Sequence, residues 1–250
     1  VRFTQEHEES LGNTADGQQD ALVALLNNAG FTPVVQSSLV IEPLPLSPED
    51  EQRLINIHEY QVVFFVSTNA VRFALHTLDD YWPQWPVGVT WLAVGDATAR
   101  VMQEAGFQPQ WPDSGFNSEA ALKMPQLQHM EGQKVLIVRG ETGRELFTDT
   151  LRARGATVER IPLYRRACNP LLRWPNPAPD AVMVTSVESW HCIQQCGTDA
   201  LREALIIAGS VRIAEAIKTM GYQHIGVAES PHDEDMVACL IQHQKTMKAK

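Results

Sequence analysis

Residues 134–166, KVLIVRGETGRELFTDTLRARGATVERIPLYRR, decide the fold class. The run Val135–Val138 is short and wholly apolar, and it ends abruptly at Arg139-Gly140. A run of this kind reads as a strand buried on both faces of a parallel sheet. A helix-like segment follows and stops at Gly155, and a second extended run then leads to Tyr164-Arg165-Arg166. Strand, helix and strand in this order make a parallel unit, because the helix must carry the chain back across the sheet.

The same pattern recurs along the chain. Extended runs open at VRFTQ (1–5), VVFFVSTNAV (62–71), VTWLAVGDATA (89–99), VLIVRGETG (135–143), AVMVTSVES (181–189) and ALIIAGSVRIA (204–214). Helical segments stop at Gly30, Gly106, Gly155 and Gly221, where glycine relieves the steric cost of a left-handed cap. The units also echo one another: FFVSTNAVRF matches VMVTSVESWH, pairing Ser67 with Ser186, and LAVGDATARVMQEAG matches IIAGSVRIAEAIKTMG, pairing Gly95 with Gly209. Six units therefore read as two sets of three, a duplicated α/β domain. Two proline-bearing extended stretches, 36–48 and 158–180, separate the sets. If both are crossovers, the first domain is built from both chain ends. A single cut near residue 130 is the alternative, and the pattern alone supports either.

Composition excludes several classes of function. The 250 residues are 44 % hydrophobic, enough for one large core or two smaller ones. Twenty Lys and Arg against 30 Asp and Glu leave a net charge of −10, the opposite of the basic face that binds nucleic acid. No apolar run approaches the ~20 residues that span a bilayer. The four cysteines, Cys168, Cys192, Cys196 and Cys239, form no CxxC pair. Cys192 and Cys196 read as ordinary helix residues. Few cysteines and no signal-peptide pattern point to a reducing cytoplasm. The histidines form no HExxH set, GETGRE lacks the Lys-Ser/Thr of a P-loop, and no GxGxxG or GxSxG opens a helix. No metal and no organic cofactor are expected. Trp82, Trp85 and Trp111 lie near prolines and read as lid or packing residues.

In open α/β sheets ligands sit beyond the carboxyl ends of the strands. The residues in that position are Thr4, Ser67, Thr68, Asn69, Gly95, Asp96, Arg139, Gly140, Thr185, Ser186, Gly209 and Ser210. Each lies where a helix begins, and the first amides of a helix point outward with partial positive charge. Several such ends suit a ligand with several anionic arms. The plainer reading is that Ser, Thr, Asn and Asp cap these helices. Arg139 and Arg144 can anchor carboxylates in bidentate fashion or pair with Glu141 or Glu145. Tyr164, at the end of a strand, either packs in a linker or serves as a proton donor, since a phenol with an ordinary pKa near 10 keeps its proton at neutral pH.

Taken together, VFFVSTNAVRF, WLAVGDATARVMQEAGFQP with SGFNSEAAL (114–122), the stretch 134–166, VMVTSVESW and SVRIAEAIKTMGYQHIGVAESPHDEDMVACL resemble the uroporphyrinogen-III synthase family. The likeness spans most of the chain, and the RG–GR–GA–YRR block is specific in combination. Two departures stand out. The family's first strand usually ends Thr-Arg-Pro, whereas Thr4 is followed by Gln5-Glu6. Its second Gly-x-x-Thr-Ala turn reads here as Gly209 to Ala214, with Arg212 where threonine is common.

The resemblance implies two similar domains, each a parallel β-sheet flanked by helices, joined by a two-stranded linker. Residues 1–37 with 169–250 form domain 1, residues 42–163 form domain 2, and the linkers lie near 38–41 and 164–168. It implies a monomeric, cytoplasmic, cofactor-independent enzyme acting on hydroxymethylbilane, an open tetrapyrrole bearing acetate and propionate arms. Water is lost, the ring closes and the last pyrrole is inverted. Tyr164 assists departure of the hydroxyl. The arms are held by Thr4, Ser67, Thr68, Asn69, Gly95, Thr98, Arg139, Gly140, Arg144, Thr185, Ser186, Ser210 and Arg212. The rival readings are a hinge-type binding protein for an anionic small molecule and an α/β enzyme acting on a phosphorylated metabolite.

Overall fold

The computed structural model describes residues 2–4, 15–113, 115, 117–143, 145–197 and 199–248; the side chains of 2–4, 15–19 and 245–248 fall outside the description. The chain begins with β1 (Arg2–Thr4), α1 (Ala15–Asn28), β2 (Val35–Ser37), β3 (Leu39–Pro43) and α2 (Pro48–Ile55). It continues through β4 (Val62–Phe65), α3 (Thr68–Tyr81), β5 (Thr90–Ala93), α4 (Asp96–Glu104), α5 (Ser118–Ala121), β6 (Lys134–Gly140), α6 (Leu146–Ala153) and β7 (Thr157–Cys168). Then come β8 (Ala181–Val184), α7 (Val187–Cys196), α8 (Ala200–Glu203), β9 (Leu205–Ala208), α9 (Val211–Thr219), β10 (Ile225–Val227) and α10 (Asp233–Lys248).

Two compact units result: Val1–Ile41 with Arg166–Lys250, and Glu42–Arg165. The first holds a sheet in the order β10-β9-β8-β1-β2, the second a sheet in the order β3-β7-β6-β4-β5. All pairings from β10 to β2 are parallel, as are β5–β4, β4–β6 and β6–β7. An isolated parallel bridge from Leu92 to Gln110 extends the second sheet past β5. The two sheets therefore share one strand order, with β5-β4-β6-β7 corresponding to β9-β8-β1-β2.

The runs at 62, 89 and 135 assemble together, while the run at 1 joins those at 181 and 204, one of the two divisions that the pattern left open. The pairings of Ser67 with Ser186 and Gly95 with Gly209 do hold, each lying just past equivalent strands. The grouping departs from chain order because β3 and β7, which lie side by side, carry the chain from one unit to the other and back.

The strands are apolar because both faces are covered. In the first unit Val182, Val184, Ile206 and Ala208 pack on one side with Trp190, Ile193, Ile213 and Ile217. The alternate residues Met183, Leu205 and Ile207 pack on the other side with Leu22, Leu26, Met236 and Leu240. In the second unit Val62, Phe64, Val135 and Ile137 meet Phe147 and Leu151 of α6, and Phe64 stacks on Phe147 with centroids 4.1 Å apart. Each Val, Leu, Ile, Phe or Met among them contributes about 1.5–3 kcal/mol on burial. Trp82 and Trp85 are packing residues: their indole N–H groups donate to Leu54 O (3.3 Å) and Ala105 O (2.8 Å), and Trp85 stacks on Phe107. Trp111 stays partly exposed.

The expected helix stops are where the pattern puts them. Gly30, Gly106, Gly155 and Gly221 all have φ between 81° and 90°, the left-handed region that a side chain disfavours. The cysteines differ from expectation. Cys168, at the end of β7, is joined to Cys192 of α7 in a disulfide that spans 24 residues, so Cys192 is not an ordinary helix residue. Helical periodicity hides such a pair, because the partner comes from a distant strand.

Candidate active site

The candidate site starts from an irregularity in the β6–β7 ladder. Arg139 pairs with Pro162, but Gly140 pairs with Tyr164, so one extra residue enters β7 at Leu163. Proline has no N–H for the ladder and favours such breaks. A bulge re-aims the side chains that follow it, since a one-residue slip exchanges the faces of a strand. The backbone is held across the bulge: Leu44 N–H donates to Leu163 O (2.8 Å), and Glu141 N–H donates to Tyr164 O (2.7 Å).

Tyr164 is only 8 % exposed. Its ring stacks on Phe73 of α3, with centroids 5.8 Å apart and planes 23° apart. Its hydroxyl lies 2.8 Å from Ser67 Oγ. Ser67 is itself the N-cap of α3, accepting from Ala70 N–H at 3.0 Å. The phenol oxygen is thus tied to the positive end of a 14-residue helix through one hydroxyl. Gly140 leaves the space the ring occupies, since a Cβ there would stand 2.8 Å from Tyr164 Cε2.

Arg139 is 7 % exposed. Its guanidinium donates to Glu145 Oε1 (3.2 Å) and to Gly140 O (3.2 Å). Glu145 also accepts from Arg160. Gly143 closes over this group, because a Cβ on it would lie 2.2 Å from Arg139 Nη2. Of the two uses expected for Arg139, the structure displays the internal pair. A buried guanidinium needs such a partner. Arg165 likewise pairs with Glu42 (2.9 Å), and Arg166 has Glu188 at 3.9 Å. The arginines that stood out in the sequence are largely matched by acids of their own neighbourhood. Exposed pairs of this kind are worth only about 0–1 kcal/mol and exchange partners easily.

The other expected residues sit at strand tips as N-caps or beside them. In the second unit, Thr68 opens α3, Asn69 in its first turn is buried, Gly95 is the N-cap of α4 without a side-chain bond, and Thr98 is 4 % exposed inside that helix. In the first unit, Ser186 caps α7 by accepting from Ser189 N–H (3.0 Å) and donates to Ser189 Oγ (2.9 Å). Ser210 caps α9 by accepting from Ile213 N–H (3.4 Å). Thr185 precedes Ser186 and is half-buried, and Arg212 is exposed in the first turn of α9. Thr4 ends β1, paired with Ser37, and its side chain is outside the description. Arg144 and Gln5 lie outside the described residues.

Sequence reasoning missed Phe73, whose one signal was an apolar position on α3, and the tie between Ser67 and Tyr164, which lie 97 residues apart. A hollow of about 530 Å³ lined by Gln110, Trp111, Lys123 and Gln126 contains none of the expected site residues. Among the described residues no group of three or more His, Cys, Asp or Glu could hold a metal ion, and no helix is long and apolar enough to cross a membrane.

Comparison with known proteins bears on this arrangement. Residues 20–238 match the family model described as uroporphyrinogen-III synthase HemD. The uroporphyrinogen-III synthases of Salmonella typhimurium and Escherichia coli are each 32 % identical to this chain, over 77 % of it and 83 % of their own length. The fold is shared with solved structures. A mutant uroporphyrinogen III synthase from Thermus thermophilus superposes with a TM-score of 0.51 at 21 % identity over the whole of both chains. The Helicobacter pylori uroporphyrinogen-III synthetase gives 0.56 at 16 % identity, over 84 % of this chain and 92 % of its own. With its two like-ordered parallel sheets and a family match across most of its length, the chain belongs to the uroporphyrinogen-III synthase family.

Proposed function

We infer that this protein closes hydroxymethylbilane to uroporphyrinogen III, with loss of water and inversion of the last pyrrole ring. The observation that carries the reading is membership of the family across residues 20–238, with curated synthases at 32 % identity. The reaction rearranges carbon–carbon bonds and releases water without net oxidation, so its balance calls for no redox partner.

In this reading Tyr164 is the catalytic residue. Its phenol donates a proton to the terminal hydroxyl as the carbon–oxygen bond breaks, and water leaves. The resulting azafulvene-type cation is attacked by the last ring through its already substituted carbon, giving a spiro intermediate. Fragmentation and recombination invert that ring, and the proton lost at the end restores the phenol. The low exposure of Tyr164 supports this role, because a proton donor away from bulk water transfers to the bound group rather than to solvent. Since the unaided chain closes without inversion, most of the protein's work is to hold one folded geometry.

The arms are proposed to meet Thr4, Ser67, Thr68, Asn69, Gly95, Thr98, Arg139, Gly140, Arg144, Thr185, Ser186, Ser210 and Arg212. The helix starts in each unit supply backbone amides for this purpose, and those amides bind anions whatever the net charge of −10. For Thr98 and Arg139, which are buried, contact through neighbouring backbone fits better than contact through the side chain. Arg212 is exposed and suits a direct charged contact. The boundaries at 1–37 with 169–250 and at 42–163, with linkers near 38–41 and 164–168, belong to the same proposal. The division into two compact units supports them. A monomer in the cytoplasm completes it, although the Cys168–Cys192 bond bears the other way on the compartment.

The test is an assay that separates the two uroporphyrinogen isomers after incubation with hydroxymethylbilane. Isomer III is expected. Binding without turnover favours a hinge-type receptor and overturns the reading, as does release of the uninverted isomer alone.

A further inference from the structure

We propose that the Ser67 hydroxyl is a positioning group for Tyr164, acting on the phenol proton and leaving any contact with a carboxylate arm to the backbone of Ser67. The proposal rests on the reading of Tyr164 as proton donor and assigns the group that aims it. Among the described residues, Ser67 Oγ has two hydrogen-bonding neighbours: Ala70 N–H, which donates to it at 3.0 Å, and Tyr164 Oη at 2.8 Å. A hydroxyl offers one proton and two lone pairs. Ala70 takes one lone pair, so two arrangements remain. In one, the phenol donates to Ser67 and its proton is turned inward. In the other, Ser67 donates to the phenol oxygen, and the phenol proton is turned out toward bound substrate.

Only the second arrangement is competent, and it improves as the reaction proceeds. When the phenol proton moves to the departing hydroxyl, the Ser67 bond ends on an oxygen gaining negative charge, and such bonds are roughly twice as strong as neutral ones. The same oxygen faces the start of α3, whose partial positive charge acts in the same direction. The ring cannot turn away to find another partner, since Phe73 stacks on it and Gly140 lies against its edge. Ser67 thus serves the helix cap and the proton donor with one atom. That use commits its side chain and leaves the arm contact proposed for Ser67 to its backbone.

The experiment compares wild type with Ser67→Ala, Ser67→Thr, Tyr164→Phe and Ser67→Ala/Tyr164→Phe, reading kcat and KM for hydroxymethylbilane and the isomer formed. Ser67→Ala is expected to lower kcat about tenfold or more, a share of what a positioned acid supplies, with little change in KM. Ser67→Thr keeps both the cap and the donor and restores most of kcat. In the Tyr164→Phe background Ser67→Ala changes kcat less than about twofold, because a residue acting through another has nothing left to act on. An equal fall in both backgrounds would show a cap or arm role and overturn the proposal. So would a raised KM at unchanged kcat, an unaffected Ser67→Ala enzyme, or a Tyr164→Phe enzyme with full kcat. Wild type that turns over normally while the Ser67 variants behave in one of these ways sinks this inference alone. Wild type without turnover sinks the proposed function with it.

Discussion

Tyr164 lies against the bare backbone of Gly140, with room for no side chain between them: a Cβ on Gly140 would come within 2.8 Å of Cε2 and 3.0 Å of Cζ. The tyrosine ring is also held by Phe73 and Ser67. Gly140→Ala should therefore push the phenol aside, at an overpacking cost of about 1–3 kcal/mol. Displacement of a reacting group by even part of an ångström is costly, so kcat should fall by about ten- to a hundredfold. A crystal structure of the variant with the ring unmoved, or an unchanged kcat, would refute this account of the glycine.

Tyr164→Phe removes the phenol proton and leaves the ring stacked on Phe73. Turnover should fall by about 10²–10⁴-fold, the usual worth of a positioned acid, while affinity for uroporphyrinogen III changes little. Isothermal titration with product, set beside kcat, checks this. Matching losses in both would mean that the residue is structural.

At the opposite end of the second sheet, Tyr60 donates to Glu159, which also pairs with Arg53 Nε at 3.1 Å. The bond from Tyr60, and then Arg53, hold the Glu159 carboxyl below the usual carboxylate range against the opposing effect of burial. Burial, then Glu159, pushes the Tyr60 phenol well up. A depressed carboxyl contributes stability above its unfolded pKa and loses it as pH falls through its folded value. Tyr60→Phe should therefore destabilise the protein at neutral pH by about 1–2 kcal/mol. The gap from wild type should close in acid, below the carboxylate range. Urea midpoints measured at both pH values decide it; a gap that widens in acid contradicts the assignment.

Cys168 and Cys192 form a disulfide, while Cys196 and Cys239 are free, with burial raising both free thiols. Denatured without reductant, the protein should therefore react with two equivalents of a thiol reagent, and after reduction with four. Reduction should cost about 2–4 kcal/mol of stability, as expected for a cross-link that closes a loop of this length. Four reactive thiols before reduction would show that the pair stays open in the compartment of synthesis.

Much of the fold was legible because its causes are local. The apolar runs of β4, β6, β8 and β9 mark strands covered on both faces. The glycines after α1, α4, α6 and α9 mark helix ends, and Ser67, Ser186 and Ser210 mark helix starts, each by an interaction within a few residues. The correspondence of Ser67 with Ser186 was readable for the same reason: both are N-caps following equivalent strands.

What the chain left open depended on partners far apart along it. The choice of Glu145 for Arg139 was one of two offered by the sequence, and burial decided it, because a guanidinium removed from water needs a fixed counter-charge. The joining of Cys168 to Cys192, the extra residue at Leu163 and the meeting of Ser67 with Tyr164 have no local signal. The amino-acid sequence by itself determined parallel α/β units, their duplication, their helix caps and a likeness to one family, since periodicity, capping and composition act over a few residues. Only the tertiary structure decided which three units share a sheet and which face Tyr164 takes. Those follow from two crossing strands and a single-residue slip, and the energy that selects them comes from packing between segments remote in the chain.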